Sequence, residues 1–160
     1  MKRLSGHLPI CLAALGLASC AAPPPAPSPP VVEAAALKKL IAPGPPRRGA
    51  VSRIPLGTYF AMQQAGTVLT IDVRPSFYYV MGHIPGAINW PKNNFKSQLT
   101  RQEPRLKAAV AAGKPIVLYC TDLACPDART VAAELAPLGY DTAILAGGFE
   151  AWKLGELPTE

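Results

Sequence analysis

An α/β fold of three layers, a central parallel sheet flanked by helices on both faces, is predicted for residues 51–160 by three observations. Short apolar runs alternate with segments of helical spacing. The runs are apolar throughout rather than at every second position, as in strands covered on both faces. Two runs end in polar or reactive residues, one in Asp72 and Arg74 and one in Cys120. That suits a sheet whose ligands bind beyond the carboxyl ends of its strands.

In chain order, a short strand is expected at 51–52 and a helix over 57–65. Leu69, Thr70 and Ile71 run into Asp72, which predicts a buried strand over 68–73 stopping at a polar edge. An aromatic stretch follows. Gly82, Pro85 and Gly86 then mark a turn that lets Ala87 and Ile88 enter a strand over 87–89. A helix over 97–112 leads to a strand at 116–119, apolar from Ile116 to Tyr119. Val131, Leu135 and Leu138 recur at helical spacing over 127–138, with Pro126 at the start and Gly139 placed to close the end. A last strand is expected at 142–145. In a parallel sheet, Asp72, Arg74 and Cys120 should share one edge.

The first fifty residues have another character. Met1-Lys2-Arg3 is a basic start, and an apolar run of about eleven residues covers 8–18. A membrane-crossing helix needs roughly 20 residues, so the run has the dimensions of a secretory signal. Leu17-Ala18-Ser19-Cys20 matches the bacterial lipobox, which predicts cleavage after residue 19 and lipid on Cys20. The alternative is a plain signal peptide with an incidental Cys20. Ala21, not an aspartate, follows Cys20, which favours the outer membrane over the inner. The expected location is the bacterial cell envelope, lipid-anchored and facing the periplasm. Residues 20–50 read as an Ala/Pro-rich tether, because such a segment cannot bury enough apolar surface to fold. Fully extended at about 3.1 Å per residue, it reaches roughly 90 Å.

Charge excludes one class of partner. The chain carries +6, and losing Lys2 and Arg3 with the signal leaves +4. From residue 51 onward basic and acidic side chains nearly balance, at ten and nine. A nucleic-acid binder concentrates positive charge on its folded surface, so no nucleic-acid partner is expected. With Cys11 removed and Cys20 capped, Cys120 and Cys125 remain as thiols in an oxidising compartment. His83 is the remaining soft ligand, so Cys and His cannot complete a four-ligand zinc site. No metal and no organic cofactor are expected.

The segment from Ile71 to Trp90, IDVRPSFYYVMGHIPGAINW, resembles the rhodanese (sulfurtransferase) family, in which a D-x-R strand end precedes a G-H-I-P-G-A turn. The resemblance continues through a cysteine just past a later strand, here Cys120, and through Gly147-Gly148-Phe149-Glu150-Ala151-Trp152 near the end. It covers nearly all of 51–160 and implies a rhodanese-like fold. It also implies sulfur transfer, with the Cys120 thiolate taking sulfane sulfur from thiosulfate or a persulfide donor and passing it to a thiol or cyanide acceptor. Backbone amides of Thr121, Asp122, Leu123, Ala124 and Cys125 would cradle the thiolate and the bound anion, helped by the helix dipole.

The loop departs from the common family pattern. Common loops read C-R-x-G-x-R or C-R-x-G-x-T, whereas this one reads Cys120-Thr121-Asp122-Leu123-Ala124-Cys125-Pro126. The loop arginine and glycine are missing, Asp122 puts negative charge where an anion would approach, and the C-x4-C-P form suggests a distinct branch. Proline at 126 removes the arginine a C-x5-R phosphatase needs, so phosphatase chemistry is excluded.

Two alternatives stay open. Cys120 and Cys125 could form a thiol–disulfide redox pair, Cys125 resolving a mixed disulfide or persulfide, with a periplasmic redox protein as partner. Alternatively the chain is a catalytically silent lipoprotein that uses the fold to dock a partner. Among the remaining residues, Asp72, Arg74 and His83 are expected to support the site structurally, and Arg129 is a candidate anion contact.

Overall fold

The computed structural model describes residues 47–160. Five parallel strands form one sheet in the order β1-β5-β4-β2-β3, with β1 Val51–Ile54, β2 Leu69–Asp72, β3 Ile88–Asn89, β4 Ile116–Tyr119 and β5 Thr142–Leu145. The helices are α1 Leu56–Gln64, α2 Ser76–Val80, α3 Phe95–Ala111, α4 Asp127–Leu135 and α5 Gly148–Leu154. The three-layer α/β architecture expected from the apolar strands is present. Among the described residues, no helix is long and apolar enough to cross a membrane. Residues 1–19, Cys20 and all but the end of the 20–50 tether lie outside the described part.

Strand alternation builds the two cores. From β4, Ile116, Leu118 and then Cys120 join one apolar cluster with Leu106 of α3 and Val131 and Leu135 of α4. Val117 and Tyr119 join the other, with Tyr59 of α1 and Phe149 and Trp152 of α5. All four residues of β4 are buried, as a central strand covered on both sides must be. Parallel register aligns Asp72 with Tyr119 on one side and with Asn89 on the other. The residues following Asp72 and Tyr119 therefore emerge together.

The turn after α2 follows from its residue types. Pro85 and Gly86 occupy its two central positions, Gly86 has φ +73°, and the Ala87 amide donates to the Ile84 carbonyl at 3.0 Å. This combination is the one a type II turn favours.

Several boundaries differ from the sequence expectation. β1 runs two residues further, to Ile54, because it pairs with β5 along its whole length. α3 begins two residues earlier, at Phe95, whose ring stacks on Trp90 at 4.7 Å. The helix expected over 127–138 is α-helical only to Leu135 and finishes as a 3-10 turn over Ala136–Leu138. Pro137 lacks the amide needed to continue the α ladder. In the sequence α2 shows only as an aromatic stretch. It is little more than one turn, opens after Pro75, and buries none of its side chains, so it leaves no apolar periodicity to detect.

The buried Tyr59 hydroxyl lies 3.0 Å from Thr70 Oγ1. Burial pushes its pKa up to about 12, with the Thr70 bond pulling the other way. The folded chain thus holds this proton more tightly than the unfolded one, in which tyrosine titrates near 10. The contribution is complete below about pH 10 and is lost as pH rises towards 12, and it amounts to roughly 3 kcal/mol. Urea melts between about pH 9 and 12 should show a shallower alkaline loss in Tyr59→Phe than in the wild type. Equal slopes would contradict this placement.

Candidate functional site

The loop after β4 is held from three directions. Its first carbonyls accept from α5: Phe149 N donates to Cys120 O at 2.9 Å, and Glu150 N to Thr121 O at 2.8 Å. This docking requires Gly148, which has φ +58° and whose absent Cβ would stand 2.5 Å from the Cys120 carbonyl oxygen. Further on, Asp122 folds back over the loop, its Oδ1 accepting from Ala124 N at 2.8 Å and Cys125 N at 2.9 Å. Finally, Cys120 and Cys125 are joined by a disulfide, with Cα atoms 6.1 Å apart.

The disulfide and the Asp122 bonds modify the cradle expected from the sequence. Cys120 is not a free thiolate in this state, and its residue is only 4% exposed. The alternation of β4 carries its side chain to the α4 side, into the apolar cluster containing Val73 and Ala128. Cys125 is half-buried and faces a small hollow also lined by Leu123, Arg129 and Arg53. Of the expected anion-binding amides, those of Ala124 and Cys125 are taken by Asp122. Thr121, Leu123, Ala124 and Arg129 are exposed, and Arg129 reaches the hollow beside Cys125.

Beneath the loop lies a buried ion pair. Arg74 Nη2 donates to Asp72 Oδ2 at 2.6 Å, Arg74 Nε bonds both Asp72 oxygens at 3.0 Å, and Arg74 Nη2 also donates to Gly82 O at 2.9 Å. The guanidinium lies 4.0 Å from the centroid of the Phe149 ring. Burial works against its charge, but the bonds to Asp72 and the carboxylate's field outweigh it, so the Arg74 pKa is raised. The Asp72 and Arg74 side chains thus serve each other and the turn carbonyl, and they tie β2 to the wall formed by Phe149. His83 sits further along the same turn, stacked on Tyr79 at 3.7 Å, with Nδ1 3.0 Å from Tyr79 O and Nε2 3.6 Å from Glu160 Oε2.

A cavity of about 520 Å³ opens beside the loop, with Thr121 and Asp122 on its loop side. Tyr78, Met81, Phe149 and Leu157 give it apolar walls, while Glu150 and Lys153 contribute opposite charges. Asp122 therefore borders this cavity and also caps the amide of Cys125.

Sequence reasoning missed Asp127. One of its carboxylate oxygens and both cysteine sulfurs lie within 4.8 Å of one another, and Lys92 Nζ is 3.5 Å from Asp127 Oδ1. Its position in the first turn of α4 marks a helix start, which is the ordinary reason for an acidic residue there. With the two sulfurs bonded to each other, the trio offers a metal no thiolate.

A model of the Rhodanese-like domain matches residues 58–154. The HTH-type transcriptional regulator Rv0324 of Mycobacterium tuberculosis is 35% identical over 101 residues, which is 61% of this chain but 40% of the regulator's length. Among solved structures, the BH2092 protein from Bacillus halodurans is 30% identical with a TM-score of 0.59, covering 68% of this chain and 76% of that one. Thiosulfate sulfurtransferase from Pseudomonas aeruginosa is 32% identical with a TM-score of 0.57, over 74% of this chain and 21% of that one.

Removing one member of a buried ion pair leaves an uncompensated charge, at a cost of about 3–5 kcal/mol. Arg74→Leu should lose about that much stability in urea, and adding Asp72→Asn should recover part of the loss. A single variant as stable as the wild type would contradict the buried pair.

Proposed function

This chain belongs to the rhodanese-like domain family, and on that premise we propose that it handles sulfane sulfur through a working couple of Cys120 and Cys125. The observation that carries the reading is the disulfide between them, closed across the loop where the family resemblance puts its nucleophile. In the reduced chain, the Cys120 thiolate attacks the outer sulfur of a persulfide, R–S–SH. A new S–S bond forms, R–S⁻ leaves, and Cys120 carries the extra sulfur. The Cys125 thiolate then attacks the inner sulfur of that persulfide, releasing HS⁻ and closing the disulfide. Two external thiols reopen it and leave as their own disulfide. Electrons balance, since two thiols are oxidised for each sulfane sulfur reduced to hydrosulfide. Thiosulfate as donor follows the same course, with sulfite as leaving group, and a thiol or cyanide acceptor competes with Cys125 for the sulfur. No step calls on a metal or cofactor.

Asp127 has a place in this cycle. Its carboxylate lies within 4.8 Å of both sulfurs, a gap that one bridging water spans, and by that route it would take the proton of a thiol as the thiolate forms. Lys92 holds it there.

A second reading omits sulfane sulfur and keeps only thiol–disulfide exchange with a redox protein. The contrast in burial favours it, since Cys125 is the more open of the two residues and an incoming thiol meets it first. A lipid anchor on Cys20 would hold either activity at the periplasmic face of the cell envelope.

Intact-mass measurement of the reduced protein with thiosulfate or an organic persulfide separates these readings. Persulfide formation adds one sulfur, about 32 Da. Cys125→Ser, which lacks the resolving thiol, should accumulate the adduct, and Cys120→Ser should not load. The wild type should return to the disulfide with release of hydrosulfide. Loading that persists in Cys120→Ser and disappears in Cys125→Ser would exchange the two roles. No adduct in any variant would leave exchange alone.

A further inference from the structure

The charge preference of this loop follows from what already occupies it. Loop amides of this kind form a concave seat for an anion. Here two of them, at Ala124 and Cys125, donate to Asp122 Oδ1 at 2.8 and 2.9 Å. The seat is filled by the chain's own carboxylate, attached two and three residues away. Such an occupant is present at an effective concentration no free anion reaches.

We infer that Asp122 biases the choice of co-substrate by the Cys120–Cys125 couple, slowing thiols and sulfur donors that are anionic near the reacting sulfur, thiosulfate among them, relative to uncharged or cationic ones. This rests on the proposed reading of the couple. An anionic reagent approaching Cys125 meets a carboxylate hydrogen-bonded to that residue's own amide, and it finds neither that amide nor its neighbour free to receive it. From the larger cavity the approach is no better, because Asp122 forms part of its wall. Tyr78, Met81, Phe149 and Leu157 give the cavity apolar surface, the charges of Glu150 and Lys153 oppose each other, and the Arg74 guanidinium that also borders it is already paired with Asp72. Arg53 and Arg129 border the smaller hollow beside Cys125. Both are exposed, so solvent weakens their pull on an anion, whereas Asp122 is half-buried on the amides themselves.

The step under test is reduction of the disulfide. A thiolate RS⁻ attacks Cys125 Sγ, the Cys120–Cys125 bond breaks, and Cys120 leaves as thiolate and takes up a proton. A second RS⁻ then attacks the mixed disulfide on Cys125, giving RSSR and the reduced chain. Three small thiols of similar size serve as probes: cysteamine, 2-mercaptoethanol and 3-mercaptopropionate. Each rate is divided by the thiol's own thiolate fraction at the working pH.

In the wild type, 3-mercaptopropionate should be the slowest of the three. Asp122→Asn removes the charge but keeps an oxygen to accept both amides, and the rate ratio of 3-mercaptopropionate to 2-mercaptoethanol should then rise roughly three- to tenfold. The ratio of cysteamine to 2-mercaptoethanol should fall. Asp122→Ser, with a neutral oxygen on a shorter arm, should move both ratios the same way, which guards against a folding defect peculiar to one variant. Ratios unchanged within scatter in both variants, or moving in the opposite sense, overturn the inference. A disulfide that none of the three thiols reduces, in wild type or variant, overturns instead the proposed working couple.

Discussion

Two hydrogen bonds govern this edge of the molecule: the amides of Phe149 and Glu150 donating to the carbonyls of Cys120 and Thr121. They join the exit of the central strand to the start of the last helix, across a gap that admits only a glycine at 148. With that junction in place, Cys120 continues the alternation of β4 into the core, and the loop must turn at Thr121. The same helix brings Phe149 against the Arg74 guanidinium, so the loop and the buried ion pair share a wall. Arg74 in turn holds the Gly82 carbonyl of the following turn. Sheet edge, loop and cavity are thus one connected arrangement.

Within that arrangement the loop satisfies itself. Asp122 supplies the negative charge that an open rhodanese-type cradle would leave to its substrate, and Cys125 supplies a partner for the sulfur. The absence of the usual loop arginine is consistent with both. An arginine would attract anions to amides that are already bonded, and the disulfide needs no counter-charge.

Much of this was legible in the residues because the signals were physical and local. An uninterrupted apolar run as short as Ile116 to Tyr119, opened by Pro115 and rich in β-branched residues, suits a strand covered on both faces better than a helix. A Pro85-Gly86 pair can hardly be anything but a turn. Asp72 and Arg74, two apart at the end of such a run, lie on the same side of the strand and close enough to pair. What escaped was set by tertiary context. The helix Ser76–Val80 buries none of its side chains, so no periodicity betrays it. Asp127 is an ordinary helix-opening residue in the sequence, and only the fold brings its carboxylate to the sulfurs. Asp122 was visible as a misplaced charge. That it would bond the very amides expected to bind a substrate depends on the loop's path, which one sequence does not specify.

The central claim is that Cys120 and Cys125 form a working couple rather than a structural clasp. Equilibration of the folded protein in dithiol–disulfide buffers of graded potential tests it most directly, with the oxidised fraction read by thiol alkylation and mass. The account predicts a reversible two-electron transition at a potential above about −300 mV, the range of labile and catalytic disulfides. A bond that stays closed well below that potential, and opens only when the domain unfolds, would contradict it.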